Sequence, residues 1–210
     1  MKKYFLIFAL PFLLAACCQP CKEEAKSDLI GQQNIKLESD IMTPESMWAM
    51  GRVSEIQVSP GDSLILFGVT WYDCKQNKGN RELYTMKPDG SNRKNITNTG
   101  GGEYNAVWNA KGEILFMTAA DNDEMQIFKM NSDGSGRTQI SSDSGGISGF
   151  VLAPDEKNIA YTKDLALPTV QDIYKDLDKA NARIIDDLMY RHWDEWVTSQ
   201  SHLFVAPLTD

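Results

Sequence analysis

GEILFMTAADNDEMQIFKMNSDGSGRTQIS, residues 112–141, is the stretch whose reading decides the fold. Ile114, Leu115, Phe116, Met117 and Thr118 form an apolar, β-rich run with no polar alternation, the pattern of a strand buried on both faces. A polar loop follows at residues 121–124, then an outer strand at 126–130. Ser132-Asp133-Gly134-Ser135 is a tight turn: Gly accepts the positive φ of a hairpin and Asp bonds its own backbone. Just upstream, Ala106-Val107-Trp108 reads as a short strand and Asn109-Ala110-Lys111-Gly112 as its turn.

The same phrase occurs once earlier. Residues 53–58 alternate apolar and polar and meet the turn Ser59-Pro60-Gly61-Asp62. Residues 64–70 form a buried strand, 82–87 an outer strand, and Pro88-Asp89-Gly90-Ser91 a turn. Met86 and Met130, Asp89 and Asp133, and Ile96 and Ile140 each stand 44 residues apart. Phe67 and Phe116 are 49 apart, the difference lying in the longer 74–80 loop of the first unit. A third unit begins with a strand at 149–152, a turn at Ala153-Pro154-Asp155-Glu156 and a buried strand at 158–162. It is then interrupted. Ile173, Leu177, Ala180, Ile184, Ile185 and Leu188 recur at helical spacing, so an amphipathic helix is expected over about 170–190. Residues 202–208 resume as the unit's outer strand.

A period of about 44 residues with four short strands per unit is the signature of a β-propeller. The expected fold is therefore all-β: a partial propeller over residues 41–210, with four-stranded blades at about 53–98, 99–142 and 143–210 and a helical insertion in the third. A β-sandwich is the structural rival, but it would not ordinarily repeat a whole phrase at fixed spacing. Propellers usually close with at least four blades, so a truncated product or half of a longer gene is expected.

Residues 1–16 stand apart. Lys2 and Lys3 precede an apolar run at 4–16, too short for an ordinary membrane span and suited to a secretory signal. The run ends Leu14-Ala15-Ala16-Cys17, which resembles the bacterial lipobox. That resemblance implies cleavage before Cys17 and a diacylglyceryl thioether on its sulfur, anchoring the chain through buried methylenes. Residues 17–40 are mostly polar and read as a tether, and Lys22-Glu23-Glu24 resembles surface-export signals of Bacteroidetes lipoproteins. The address implied is the Gram-negative cell envelope, on the periplasmic face or the cell surface. Three of the four cysteines lie in this anchor region and only Cys74 in the folded part, so no disulfide framework is expected.

The net charge of −8 and pI near 4.8 argue against a nucleic-acid partner. No motif points to a cofactor. Cys17-Cys18 with Cys21 lacks the His or second Cys pair of a zinc site, and Asp121-Asn122-Asp123-Glu124 lacks the Gly and distant Glu of a calcium loop.

At Thr43 a helix start appears, with Pro44 in the first turn. Thr43-Pro44-Glu45-Ser46-Met47-Trp48, leading to Ser59-Pro60, resembles the start of the propeller in bacterial prolyl oligopeptidase-family serine peptidases, whose usual form is TPE-x-x-W…SPDG. The repeats, with IFKMNSDGSGRTQIS, look like the TolB-type units those peptidases share. Arg191-His192-Trp193-Asp194-Glu195-Trp196 resembles the inserted segment of their dipeptidyl and acylaminoacyl peptidase branch. The family's nucleophile sits in a G-x-S-x-G elbow of an α/β-hydrolase domain, and no Ser of this chain has that context. The resemblance therefore implies a substrate-gating propeller portion of a lipid-anchored peptidase acting on short peptides, with no catalytic residue in this chain. The alternative is a non-enzymatic TolB-like lipoprotein propeller that binds protein partners in the envelope.

Arg191, His192, Trp193, Asp194 and Glu195 are the candidate substrate-path residues. Acidic groups there would hold a peptide's amino terminus. The structural alternative is a helix exit whose two Trp pack on the propeller while the charges face solvent. The lipobox reading has a direct check. Metabolic labelling with a fatty acid should mark the chain, and Cys17→Ser should abolish the label and release the chain from the membrane fraction. Unlabelled wild-type chain would remove the anchor.

Overall fold

The computed structural model describes residues 29–37, 39–119, 123–185 and 191–208. The expected signal at 1–16 and Cys17 lie outside the described residues. The chain forms α1 (Pro44–Ala49), β1 (Arg52–Val58), β2 (Ile65–Asp73), β3 (Lys78–Met86), β4 (Lys94–Asn95), β5 (Tyr104–Trp108), β6 (Ile114–Ala119), β7 (Met125–Met130) and β8 (Thr138–Gln139). Then come β9 (Gly149–Leu152), β10 (Asn158–Ala166), α2 (Val170–Ile173), β11 (Arg191–His192), β12 (Glu195–Trp196) and β13 (Ser199–Pro207). The strands make three antiparallel sheets, β1-β2-β3-β4, β5-β6-β7-β8 and β13-β10-β9, plus the small hairpin β11-β12. Among the described residues the third sheet has three strands, where the repeat predicts four.

The repeat seen in the sequence is a repeat of contacts. Each sheet carries one stacked aromatic pair: Phe67 with Tyr84 at 5.7 Å, Phe116 with Phe128 at 6.0 Å, and Tyr161 with Phe204 at 5.5 Å. Each pair bridges directly opposed residues of neighbouring strands. A cation lies over each: Arg93 on Tyr84, Arg137 on Phe116 and Phe128, and Lys163 on Phe204. We call the face bearing the pair the leading face and the opposite one the trailing face.

Leading and trailing faces pack on each other. Leu66, Leu83 and Ile96 on the first sheet's trailing face share a buried cluster with Ala106, Ile114, Phe116 and Met130 of the second. Leu115, Met117 and Ile127 on the second sheet's trailing face share another with Phe150 and Ile159 of the third. This is why β6 has no polar alternation: Ile114 and Phe116 serve one interface, Leu115 and Met117 the other, and all are nearly or wholly inaccessible. Burying such a side chain contributes about 1.5–3 kcal/mol.

Polar ties fix how neighbouring sheets sit. The edge strands β1 and β5 each carry a register shift, and Glu55 and Asn105 there adopt left-handed backbone, φ 53° and 52°. Gln57 Nε2 reaches across to donate to the Ala106 carbonyl at 2.8 Å. The Asn105 amide both donates to the Phe150 carbonyl and accepts from its N–H, each at 3.1 Å. Within their own units Glu82 and Gln126 play matching parts, tying the third strand to the segment that follows the fourth. The first accepts from the Thr97 hydroxyl (2.5 Å) and Thr99 N–H (3.0 Å), the second from the Ser141 hydroxyl (2.7 Å) and Asp143 N–H (3.0 Å).

One expectation is corrected. Instead of an amphipathic helix over 170–190, the chain makes a single helical turn, Val170–Ile173, and runs in turns and irregular backbone through residue 185. The physical reason is that the apolar stripe finds no surface: Ile173, Leu177, Ile184 and Ile185 are 50%, 45%, 37% and 46% exposed. An isolated helix of this length is marginal without such burial, and Asp172, Asp176, Asp178 and Asn181 are weak helix formers. By contrast α1 forms where expected. The Thr43 hydroxyl accepts from Ser46 N–H, the Ser46 hydroxyl from Thr43 N–H, and Pro44 sits in the first turn.

The two Asp-Gly turns provide a matched test of sheet contact. Gly90 (φ 82°) has open space where a Cβ would go, whereas a Cβ on Gly134 (φ 89°) would meet the Ile96 carbonyl oxygen at 2.2 Å. Gly90→Ala should cost roughly 1–2 kcal/mol for its backbone alone. Gly134→Ala should cost a further 1–3 kcal/mol or so for the steric clash. Equal shifts in urea midpoint would mean that the second turn does not abut the first sheet.

Candidate functional site

The third sheet positions the candidate segment. β10 and β13 pair over nine residues each, from Asn158↔Pro207 to Ala166↔Ser199. Leu167 N–H donating to the Thr198 carbonyl continues the ladder one step further. Residues 168–197 are thus an excursion from the tip of a long hairpin.

Within that excursion β11 and β12 pair as Arg191↔Trp196 and His192↔Glu195, leaving Trp193-Asp194 as a two-residue turn. Trp193 takes left-handed backbone, φ 55°, which a two-residue hairpin requires and which a bulky side chain seldom supplies. The residue is 89% exposed. Trp196 is the anchored member: the Arg183 and Arg191 guanidinium groups lie 4.9 and 5.3 Å from its ring centre. Arg191 also donates to the Asp194 carbonyl at 3.0 Å, closing the turn. His192 meets Trp193 edge-on at 6.4 Å.

The structure therefore brings Arg191, His192, Trp193, Asp194 and Glu195 together on one small, exposed hairpin. It holds no nucleophile–base pair. Trp193 does not pack on the sheets. The hairpin can present an aromatic face flanked by two carboxylates, a surface suited to a cationic group. Cys17 lies outside the described residues, and Cys74 is an exposed free thiol in the β2–β3 loop. No group of three His, Cys, Asp or Glu placed to hold a metal occurs among the described residues.

A second charged cluster was not singled out from the sequence. Arg81, nearly inaccessible, pairs with Glu55 (2.9 Å), donates to the Ser54 hydroxyl (3.1 Å) and to the Glu103 carbonyl (2.6 Å). It fits because Gly68 lies opposite: a Cβ there would sit 2.0 Å from the guanidinium. Glu103, fully buried, accepts from the Thr99 hydroxyl (2.5 Å) and pairs with Arg137 (3.2 Å). Of its members Arg137 has a counterpart at the 44-residue spacing, Arg93. This cluster lies between the first two sheets, with Glu55 its partly exposed end.

The chain matches curated relatives along most of its length. It is 46% identical over 170 residues to dipeptidyl-peptidase 5 of Porphyromonas gingivalis, covering 80% of this chain and 25% of that protein. It is 36% identical over 173 residues to dipeptidyl-peptidase 5 of Porphyromonas endodontalis, covering 81% and 25%. Four fifths of the chain is thus homologous to part of a peptidase. The chain spans about a quarter of the length of these relatives. A solved acylaminoacyl peptidase, in complex with Z-Gly-Gly-Phe-chloromethyl ketone, superposes with a TM-score of 0.59 at 11% identity, over 78% of this chain and 24% of that one. That likeness is one of fold. No family model matches the chain.

Glu103 gives a pH test of the sheet junction. Burial, the largest cause, raises its carboxyl above the ordinary 4.5, and Glu82 adds to the rise; the Thr99 hydroxyl and Arg137 oppose it. The folded chain therefore holds this proton more tightly than the unfolded chain does. Its contribution to stability is full below about pH 4.5 and is lost as pH rises through the folded-state value. Glu103→Gln copies the neutral form. Its stability relative to wild type should therefore improve as pH rises above about 4.5. A urea-midpoint difference that does not change with pH would show the carboxyl to be unshifted.

Proposed function

We propose that this chain is the propeller portion of a secreted, lipid-anchored serine peptidase that acts on short peptides. The carrying observation is the 46% identity over 170 residues to a dipeptidyl-peptidase 5. The stacked antiparallel sheets and the 44-residue repeat support the propeller reading. In such an enzyme the sheets would surround the approach to a hydrolase domain, admit short peptides and exclude folded proteins. Chemistry would belong to a Ser nucleophile, a His base and an Asp orienter on that domain. The 210 residues here contain no G-x-S-x-G elbow, and the chain's own part would be to gate and orient the substrate.

The hairpin is the part of the chain that would touch substrate. Trp193 would lie against the peptide, and Asp194 and Glu195 would attract its amino-terminal ammonium. Arg183 and Arg191, stacked on Trp196, would hold the turn in place. The lipid on Cys17 would keep the whole enzyme at the cell envelope, where short extracellular peptides arrive.

The test is a chimera in which these residues replace the matching quarter of the Porphyromonas gingivalis relative. It should release dipeptides from a reporter peptide, while the chain by itself should release none. In the chimera, Asp194→Asn with Glu195→Gln should raise KM for substrates with a free amino terminus about tenfold, the loss of a charge-assisted contact, with kcat little changed. Hydrolysis by the chain alone, or a folded chimera without activity, would overturn the reading. An unchanged KM would remove the hairpin from the substrate path.

A further inference from the structure

The junction between the first two sheets holds a carboxyl group where the next junction holds an apolar side chain. Glu103 N–H donates to the Arg81 carbonyl at 2.9 Å, and Ile147 N–H donates to the Met125 carbonyl at 2.9 Å. Glu103 and Ile147 are 44 residues apart, and so are Arg81 and Met125, so the two positions are equivalent. Ile147 lies in the apolar cluster between the second and third sheets. Glu103, in the matching place, is wholly inaccessible.

The donors around Glu103 are unevenly shared. Its Oε1 accepts from the Thr99 hydroxyl at 2.5 Å and from Arg137 at 3.2 Å. Its Oε2 is buried and has no hydrogen-bond partner. Glu82, the neighbouring buried acid, differs. The Thr97 hydroxyl donates to its Oε2, and Thr99 N–H and the Asn80 amide donate to its Oε1. A carboxylate calls for donors on both oxygens, whereas a carboxylic acid has an oxygen that donates. Glu82 shows the first pattern and Glu103 the second.

The ladder supplies an acceptor. Tyr104 opposes Met117, so one step before β5 Glu103 opposes Thr118. Directly opposed side chains share a face, with Cβ atoms about 4.5–5.5 Å apart. The Thr118 hydroxyl is also buried without a partner. A Cβ on Gly101 would sit 3.1 Å from that hydroxyl, so the chain leading to Glu103 lies against β6 here.

Charge points the same way. The charged groups around Glu103 are Arg81 and Glu82 from β3, Glu55 from β1 and Arg137 from the β7–β8 connection. Tyr104, its chain neighbour, lies under the Arg81 guanidinium. Thr97, Thr99 and Thr118 bring hydroxyls and no charge. With Glu103 neutral, two cations face two anions. With Glu103 ionised, one negative charge is left over in a low-dielectric junction, which is costly.

We propose that Glu103 is a proton-operated latch on the first junction. As the neutral acid its Oε1 takes two donors and its Oε2–H donates to Thr118. When the proton leaves to solvent, Oε2 becomes a buried negative charge beside Glu82, and the segment carrying Glu103 loosens from the Arg81 backbone. The junction is tightest in acid and eases as pH rises. All the groups involved lie within residues 55–137, so the latch does not rest on the peptidase reading.

The experiment is an NMR titration of the full chain with isotope-labelled glutamate carboxyls, in which Glu103→Gln identifies the Glu103 signal by its loss. The Glu103 carboxyl should titrate above the ordinary 4.5. Thr118→Val removes the acceptor of the neutral form, so it should lower that midpoint by about one pH unit, roughly tenfold in proton affinity. If the ionised carboxylate instead accepts from Thr118, the same change raises the midpoint, and the proposal falls. Opening of the latch is read by hydrogen exchange at the Glu103 amide, corrected for the intrinsic rate at each pH. The corrected rate should climb as pH rises, by about tenfold for each unit by which the folded midpoint exceeds the ordinary value. Glu103→Ile copies the second junction, and its corrected rate at residue 103 should ignore pH. A Glu103 carboxyl titrating at or below 4.5 would overturn the proposal. So would a corrected rate in wild type that does not change with pH.

Discussion

The structure depends on sheets that must be buried on both faces. A single antiparallel sheet can hide neither face against itself, and in the second sheet both faces of β6 are apolar. β6 makes the constraint plain, since consecutive residues Ile114 to Met117 turn alternately to two different sheets and all are buried. Stacking solves the problem locally, one sheet at a time, and passes it on to the next sheet. The aromatic pair on each leading face and the aliphatic residues on each trailing face are the complementary halves of that contact.

Apolar packing by itself leaves the angle between sheets loose, and the polar ties remove that freedom. The left-handed residues Glu55 and Asn105 lie at bulges of the edge strands β1 and β5, and each side chain or its near neighbour bonds backbone in the following sheet. Buried Arg81 and Glu103 add charge-assisted contacts at the first junction, where loss of one partner would strand the other in low dielectric. The consequence for function is a rigid platform. The excursion between β10 and β13 inherits its position from a nine-residue ladder, although the excursion itself has little core of its own. A hairpin on a stiff stalk can differ in sequence without disturbing the sheets beneath it.

Much of this was legible in the sequence. The 44-residue spacing of Met86 and Met130 and of the Asp-Gly turns marks the sheets, because strand length and turn chemistry are local properties. The α1 cap at Thr43 was legible for the same reason. The expected helix over 170–190 misled because periodicity reports only that one face is apolar. Whether anything lies against that face is a tertiary matter, and Ile173 and Leu177 stay about half exposed. At the candidate site, the residue cluster 191–196 stood out by composition. The left-handed turn that thrusts Trp193 into solvent and the two guanidinium groups on Trp196 did not.

The sequence by itself determined the strands, their turns, their order and the both-sided apolarity that forces stacking. All of these follow from side-chain chemistry at neighbouring positions. Only the tertiary structure decided which side chains cross between sheets, why Gly68 must be small opposite Arg81, and that residues 29–37 lie on the first sheet. Those outcomes depend on groups far apart in the chain competing for the same surface, and competition of that kind leaves no period to read.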